Sequence, residues 1–202
     1  MTDLLAVPPD ATPLTEEERK GLRLPVLTRS ELNRAEAENI SLAMLWLFQS
    51  RRHLRPGAVI REEWLVRLHK RLYDHVWKWA GRYRTSDRNL GVPYWQIRVD
   101  MRDLEADAEA WLADTGPARF TPDECAIRIG YRLVVIHPFP NGNGRWSRLA
   151  ADALVVALGG RRFSWGGGSL AEASEVRHTY IAALQAADRT GDVGRLVEFA
   201  RS

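Results

Sequence analysis

The sequence predicts an all-α fold with one small extended insert, and three observations carry that expectation. Apolar residues recur at three- and four-residue spacing through most of the chain. Helix-start signals stand directly ahead of several of these runs, and glycine closes them. Strand-like patterning is confined to residues 83–99.

Taken in order, residues 1–26 hold four prolines and little periodicity beyond a short turn at Thr15–Lys20, so they are expected to lie as an arm over the surface. Thr28 and Glu31 have capping-box spacing, and Leu27 with Leu32 fits a hydrophobic staple, which predicts a helix over 28–49. Leu32, Ala35, Ile40, Ala43, Met44 and Leu47 line one face of it, with Leu42 and Leu45 on another. A second helix is expected from Glu62 to Trp79 on the spacing of Leu65, Leu68, Leu72, Val76 and Trp79, with Gly81 at its end. Gly91 and Pro93 interrupt the next stretch, and Gln96-Ile-Arg-Val99 reads as extended, so 83–99 is expected to form an irregular β-hairpin. Leu104, Ala108 and Trp111 then place a helix over 101–113, stopped by Gly116-Pro117. Thr121-Pro-Asp-Glu124 combines a cap, a proline suited to the first turn and a glutamate three after the cap, so the following helix starts there and runs to Ile136. Another spans 143–158 up to Gly159-Gly160, and after a loop at 164–168 two closing helices are expected over 170–187 and 193–201. Residues 27–202 are read as a single domain.

Composition narrows the function classes. In 202 residues, 45% are hydrophobic and 27% charged, the balance of an ordinary folded protein. No run approaches the roughly 18 apolar residues of a membrane span, and Met1–Asp10 lacks a secretory pattern. Cys125 is the sole cysteine, which excludes an intrachain disulfide and a cysteine-based zinc site and suits the cytoplasm. The net charge of +3 comes from cations interleaved with carboxylates, which argues against direct nucleic-acid binding.

Chemistry concentrates between the helices ending at Ile136 and starting at Asn143. There His137, Asn141, Gly142, Asn143 and Gly144 open into a helix that bears Arg145 and, one turn on, Arg148. Helix-start amides lack intrahelical acceptors and sit at the positive end of the macrodipole, so they hold phosphate. Glycines allow close approach, and two arginines three apart can grip further oxygens with planar donor forks. A row of phosphates is the natural ligand. His137, with an unperturbed pKa near 6.5, can accept a hydroxyl proton near neutral pH.

These residues resemble the Fic (Fic/Doc) family, whose signature is matched at His137, Phe139, Gly142, Asn143, Gly144, Arg145 and Arg148. The resemblance extends from about Glu31 to Phe199 and looks closest to small bacterial members labelled mobile mystery protein B. It implies transfer of AMP from ATP to a Ser, Thr or Tyr hydroxyl of a target protein. His137 would be the general base, and Asn143 with the backbone of Gly142 and Gly144 the anion hole. Arg145 and Arg148 would hold the outer phosphates, and Phe139 would anchor the loop. Residues 83–99 resemble the family's flap, where Thr85, Tyr94, Trp95, Gln96 and Ile97 would meet an extended stretch of the target. Main-chain pairing of this kind tolerates varied sequences.

Two positions depart from the family pattern. The carboxylate that would hold Mg²⁺ is replaced by Asn141, a hard but neutral ligand that implies weaker metal binding. The family's inhibitory Ser/Thr-x-x-x-Glu-Gly/Asn pattern is met only at its end, by Glu38-Asn39, with Arg34 at the Ser/Thr position. Glu38 is thus the expected inhibitory residue, and Glu36, within the apolar stripe, is its rival. An antitoxin or other regulatory partner fits the same resemblance. Other readings are a Doc-type phosphotransferase, which the intact Gly142-Asn143-Gly144 disfavours, a nucleotide-sensing binding module without catalysis, and a structural DNA-associated protein.

Overall fold

The computed structural model describes residues 15–25, 28–49, 54–113, 120–167 and 175–202. Residues 1–14 of the predicted arm, Leu27 of the staple, Gly116-Pro117 and the first residues of the helix expected from Leu170 lie outside the described residues.

The helices are α1 (Glu16–Arg19), α2 (Arg29–Gln49), α3 (Pro56–Val59), α4 (Glu62–Tyr73), α5 (Ile97–Leu112), α6 (Pro122–Ile136), α7 (Asn143–Ala157), α8 (Glu175–Thr190) and α9 (Gly194–Arg201), with a 3₁₀ turn at Trp165–Gly167. Their starts follow the side-chain chemistry. At α6 the Glu124 N–H donates to Thr121 Oγ1 at 3.2 Å while the Thr121 N–H donates to Glu124 Oε2 at 2.7 Å. The same reciprocal pair joins Thr28 and Glu31 at α2, and Thr15 with Glu18 caps α1.

α6 and α7 fold back on each other across the 137–142 loop and form the centre of the core. Gly130 lets them approach closely, since a Cβ there would stand 3.1 Å from Ala151 Cβ. α5 and α9 pack on α6, α4 and α3 on α7, α2 on α4, and α8 on α9. Leu68, Leu72, Leu133, Phe139, Trp146 and Leu154 are fully buried where α4, α6 and α7 meet, so the loop is seated on a closely buried part of the core.

Two expectations need correction. The helix predicted over 62–79 stops at Tyr73, because the Asn39 amide inserts into its hydrogen-bond ladder. Asn39 Nδ2 donates to the Arg71 carbonyl at 3.0 Å, and the His75 N–H donates to Asn39 Oδ1 at 3.0 Å. Those two backbone groups would bond each other in a continued helix, so one side chain from α2 ends α4 and fastens the two helices together.

The predicted β-hairpin is also absent: among the described residues there is no strand, only an isolated bridge between Leu22 and Trp77. Residues 83–96 run as turns, and Gln96-Ile-Arg-Val99 belongs to the first turn of α5 and its cap. Helical spacing wins there because Ile97, Met101, Leu104 and Ala108 fall on one face, and all four are buried. The described part of the arm, residues 15–25, docks beside this segment through the Glu18–Arg88 ion pair and the Gly21 carbonyl, which accepts from the Lys78 N–H at 2.7 Å. No helix among the described residues is long and apolar enough to cross a membrane.

Candidate active site

The loop from His137 to Gly142 is held from below by aromatic stacking. Phe139 is fully buried, with its ring stacked 3.6 Å from that of His69 and edge-on to Trp146 at 4.8 Å. His69, on α4, uses both ring nitrogens. Nδ1 accepts from the Gly81 N–H at 3.0 Å, which leaves the proton on Nε2 to donate to the Asn141 carbonyl at 3.1 Å. Complete burial lowers its pKa to about 3, so it braces the loop as a neutral ring.

α7 is capped by Gly142, whose φ of 80° suits glycine and whose missing Cβ would lie 2.5 Å from the Tyr73 ring. Asn143 is tied down twice: its Oδ1 accepts from the Phe139 N–H at 3.0 Å and its Nδ2 donates to the Phe139 carbonyl at 2.9 Å. The expected anion hole is corrected accordingly. The Asn143 side chain is spent on the loop, and the Gly142 N–H is taken by Asn141 Oδ1 at 2.6 Å. The N–H groups of Asn143, Gly144 and Arg145 have no acceptor among the described residues, and these are the donors at the head of the helix. Gly144 leaves room in front of them, with only Arg148 Nη1 near, 3.5 Å from where a Cβ would stand.

The two arginines diverge in partners. Arg148 stacks over Tyr180 of α8, 5.3 Å from the ring centroid. Arg145 lies over Tyr73 and donates to Glu36 Oε2 at 2.7 Å. The other oxygen of Glu36 accepts from Trp77 Nε1 at 2.9 Å, so this carboxylate is buried and fully engaged. Desolvation pulls Arg145 down, but Tyr73 and Glu36 outweigh it and raise its pKa. Burial in turn pushes the Tyr73 hydroxyl up to about 12. Glu38, two residues further along α2 and so about 200° around the helix from Glu36, is exposed. The glutamate facing the site is Glu36, and the expectation placed on Glu38 is corrected.

His137 caps α6 in the left-handed conformation, φ 53° and ψ 56°. Its Nδ1 lies 3.3 Å from the Val134 carbonyl. A carbonyl only accepts, so the proton sits on Nδ1 and the acceptor lone pair on Nε2, the arrangement a general base needs. Burial lowers its pKa to about 4, with help from the charges of Arg84 and Arg88. Beneath it lies Arg84, a buried residue with no local sequence pattern to announce it. Its Nε donates to the His137 carbonyl at 2.8 Å, Nη1 to Ser86 O at 3.0 Å and Nη2 to Val92 O.

Of the expected target-facing residues, Thr85, Tyr94, Trp95 and Gln96 are exposed, and Trp95 stands 66% open to solvent. Ile97 is 1% exposed and belongs to the core, which corrects its assignment. As for a metal, the loop offers one side-chain oxygen, Asn141 Oδ1, already accepting from Gly142. Glu36, the carboxylate that meets Arg145, is engaged by that arginine and by Trp77. No group of three His, Cys, Asp or Glu residues among the described ones could hold an ion. These residues do not by themselves make a magnesium site, and the weakened binding expected at Asn141 leaves the remaining ligands to phosphates and water.

Residues 59–155 match the Fic/DOC family, a span that takes in the α4 brace, the 83–99 segment, the loop and α7. The fold is that of a Fic domain. The chain is similar to Protein adenylyltransferase Fic of Aedes aegypti, 31% identical over 136 residues, which are 67% of this chain and 26% of that protein. Fic-1 of C. elegans matches in structure with a TM-score of 0.64 and 25% identity, covering 90% of this chain and 51% of that one. BepC of Bartonella tribocorum with bound AMPPNP gives a TM-score of 0.63 at 18% identity, covering 93% and 97%. The chain spans about a quarter of the length of the curated relatives it matches.

Proposed function

We propose that this domain transfers AMP from ATP to a Ser, Thr or Tyr hydroxyl of a target protein. The observation that carries this reading is the adjacency of a histidine with its acceptor lone pair on Nε2 and a helix head with three uncommitted N–H donors. Relatives named protein adenylyltransferase Fic and a structural neighbour holding an ATP analogue support the same chemistry.

In the proposed reaction the target hydroxyl gives its proton to His137 Nε2 as its oxygen bonds the α-phosphorus. The bond from that phosphorus to the bridging oxygen breaks, and pyrophosphate leaves with the electron pair. The N–H groups of Asn143, Gly144 and Arg145, with the Arg148 guanidinium, hold the phosphate oxygens as negative charge grows on the leaving group. Magnesium is proposed to accompany ATP rather than to reside on the protein. The exposed Tyr94 and Trp95 receive the target.

Glu36 is the proposed inhibitory residue in place of Glu38. It occupies Arg145, one of the two cations that the outer phosphates need, so binding of ATP and the Glu36–Arg145 pair compete. The motif alone supports placing the chain with the small bacterial members, and a regulatory partner acting through α2 fits this geometry. Incubation with ATP labelled at the α or the γ position tests the reading. Label transferred from the α position alone is expected; label from the γ position would favour the Doc-type phosphotransferase.

A further inference from the structure

Every hydrogen bond that the Arg84 side chain makes goes to a backbone carbonyl, and the three carbonyls come from two separate stretches of chain. Ser86 and Val92 lie on the 83–99 segment, and His137 is the base itself. The backbone adds two more links, from the Arg84 N–H to Pro138 O at 2.9 Å and from the Val92 N–H to Ile136 O at 3.4 Å. The nearest carboxylate, Asp87, is 3.9 Å away and more than half exposed, so carbonyl dipoles carry the burden of solvating this guanidinium. A buried charge is tolerable only when its donors are satisfied, and only a planar fork reaches three acceptors in fixed directions. Gly91 completes the contact. Its φ is +96°, and a Cβ there would lie 2.5 Å from His137 Cβ and 2.9 Å from Arg84 Nη2. No slack separates the segment from the histidine.

We infer that Arg84 is a positioning residue that holds the target-docking segment and the His137 backbone as one unit. The left-handed conformation of His137 is uncommon for a residue with a Cβ, and the Arg84 Nε bond to its carbonyl fixes that conformation. Docking of a target on residues 84–96 therefore acts on the imidazole directly, without a change at the phosphate-binding helix head. This inference rests on the reading of His137 as base.

The test uses the full chain carrying Glu36→Gln, so that AMP transfer can be followed, with Arg84→Lys, Arg84→Met or Gly91→Ala added singly. Three quantities are read: AMPPNP affinity, the split of AMP transfer between kcat and KM for ATP, and the pH titration of the His137 imidazole by NMR. Lysine keeps the charge but not the fork, so kcat should fall roughly a hundredfold, the cost of a misplacement of about 1 Å. KM for ATP and AMPPNP affinity should change less than about twofold, because the helix-head donors are untouched. The imidazole should titrate closer to its ordinary value than the wild type, which stands at about 4. Gly91→Ala should reproduce all three effects with Arg84 in place, which covers the case in which an Arg84 variant fails to fold. An unchanged kcat, or an equal loss of AMPPNP affinity, would overturn the inference. His137→Ala is the control for the underlying reading: if it transfers AMP at the wild-type rate the base assignment falls, and the Arg84 inference is then judged by the imidazole titration alone.

Discussion

Two long, buried, charged side chains reach the site from different elements, Glu36 from α2 and Arg84 from the 83–99 segment, and they act on it in different ways. On the α2 side, Glu36 binds Arg145, a cation that phosphate also wants. On the other side, Arg84 binds three carbonyls, none of which any ligand needs. A contact between opposite charges can be displaced by a ligand with more charge, whereas a contact to backbone dipoles cannot be competed away. The first is suited to regulation and the second to positioning, although both are equally invisible as surface features.

The largest effect is expected from breaking the positioning side. Gly91→Ala places a methyl against His137 and should cut AMP transfer by about two orders of magnitude while sparing nucleotide affinity, as measured by single-turnover assay and AMPPNP titration. Breaking the other side should do the reverse. Glu36→Gln should tighten AMPPNP binding roughly tenfold or more, since it removes a charge-assisted bond that competes for Arg145. Glu38→Gln, on the exposed face, should change nothing measurable. A tighter Glu38 variant and an unaltered Glu36 variant would reverse the assignment.

A pH series sharpens the contrast by weakening the histidines under and above the loop. His69 and His137 titrate at about 3 and about 4 in the fold, below the 6.5 of an exposed ring. Between those values and 6.5 the unfolded chain binds more protons than the folded one, so stability rises with pH across that window and is lost on acidification. Each histidine contributes up to about 1.4 kcal/mol per pH unit there. Thermal melts from pH 7 to 4 should fall steeply, and His69→Gln should flatten the slope; a melt independent of pH would contradict the burial of both rings. The smallest effect is expected of Asn141→Asp. It supplies the missing carboxylate and should lower the magnesium needed for half-maximal transfer a few-fold, read by metal titration.

Much of this was legible from the residues. The capping boxes at Thr28 and Thr121 announced two helix starts, and the glycines and arginines from Gly142 to Arg148 announced a phosphate-binding helix head. Less legible were contacts that cross the chain. Gln96–Val99 alternates like a strand, yet pairing of Ile97 with Met101 inside the core overrode that local pattern. Glu36 and Glu38 are about 200° apart around a helix, so a two-residue difference in register decides which one meets Arg145. A signal for Glu36 was present all the same. Leu32, Glu36, Asn39, Ala43 and Leu47 share one buried face, and polar residues set in an apolar stripe need partners from elsewhere. Arg84 and His69 carry no such signal, because what makes them matter is where distant carbonyls end up.

The central claim is that this loop moves an adenylyl group through His137 and that Glu36 restrains it. The most direct measurement is an intact mass spectrum of the Glu36→Gln protein after incubation with ATP and magnesium. The account predicts a gain of one AMP per modified hydroxyl, abolished when His137→Ala is added. An adduct the size of a single phosphoryl group, or an AMP adduct that survives without His137, would contradict it.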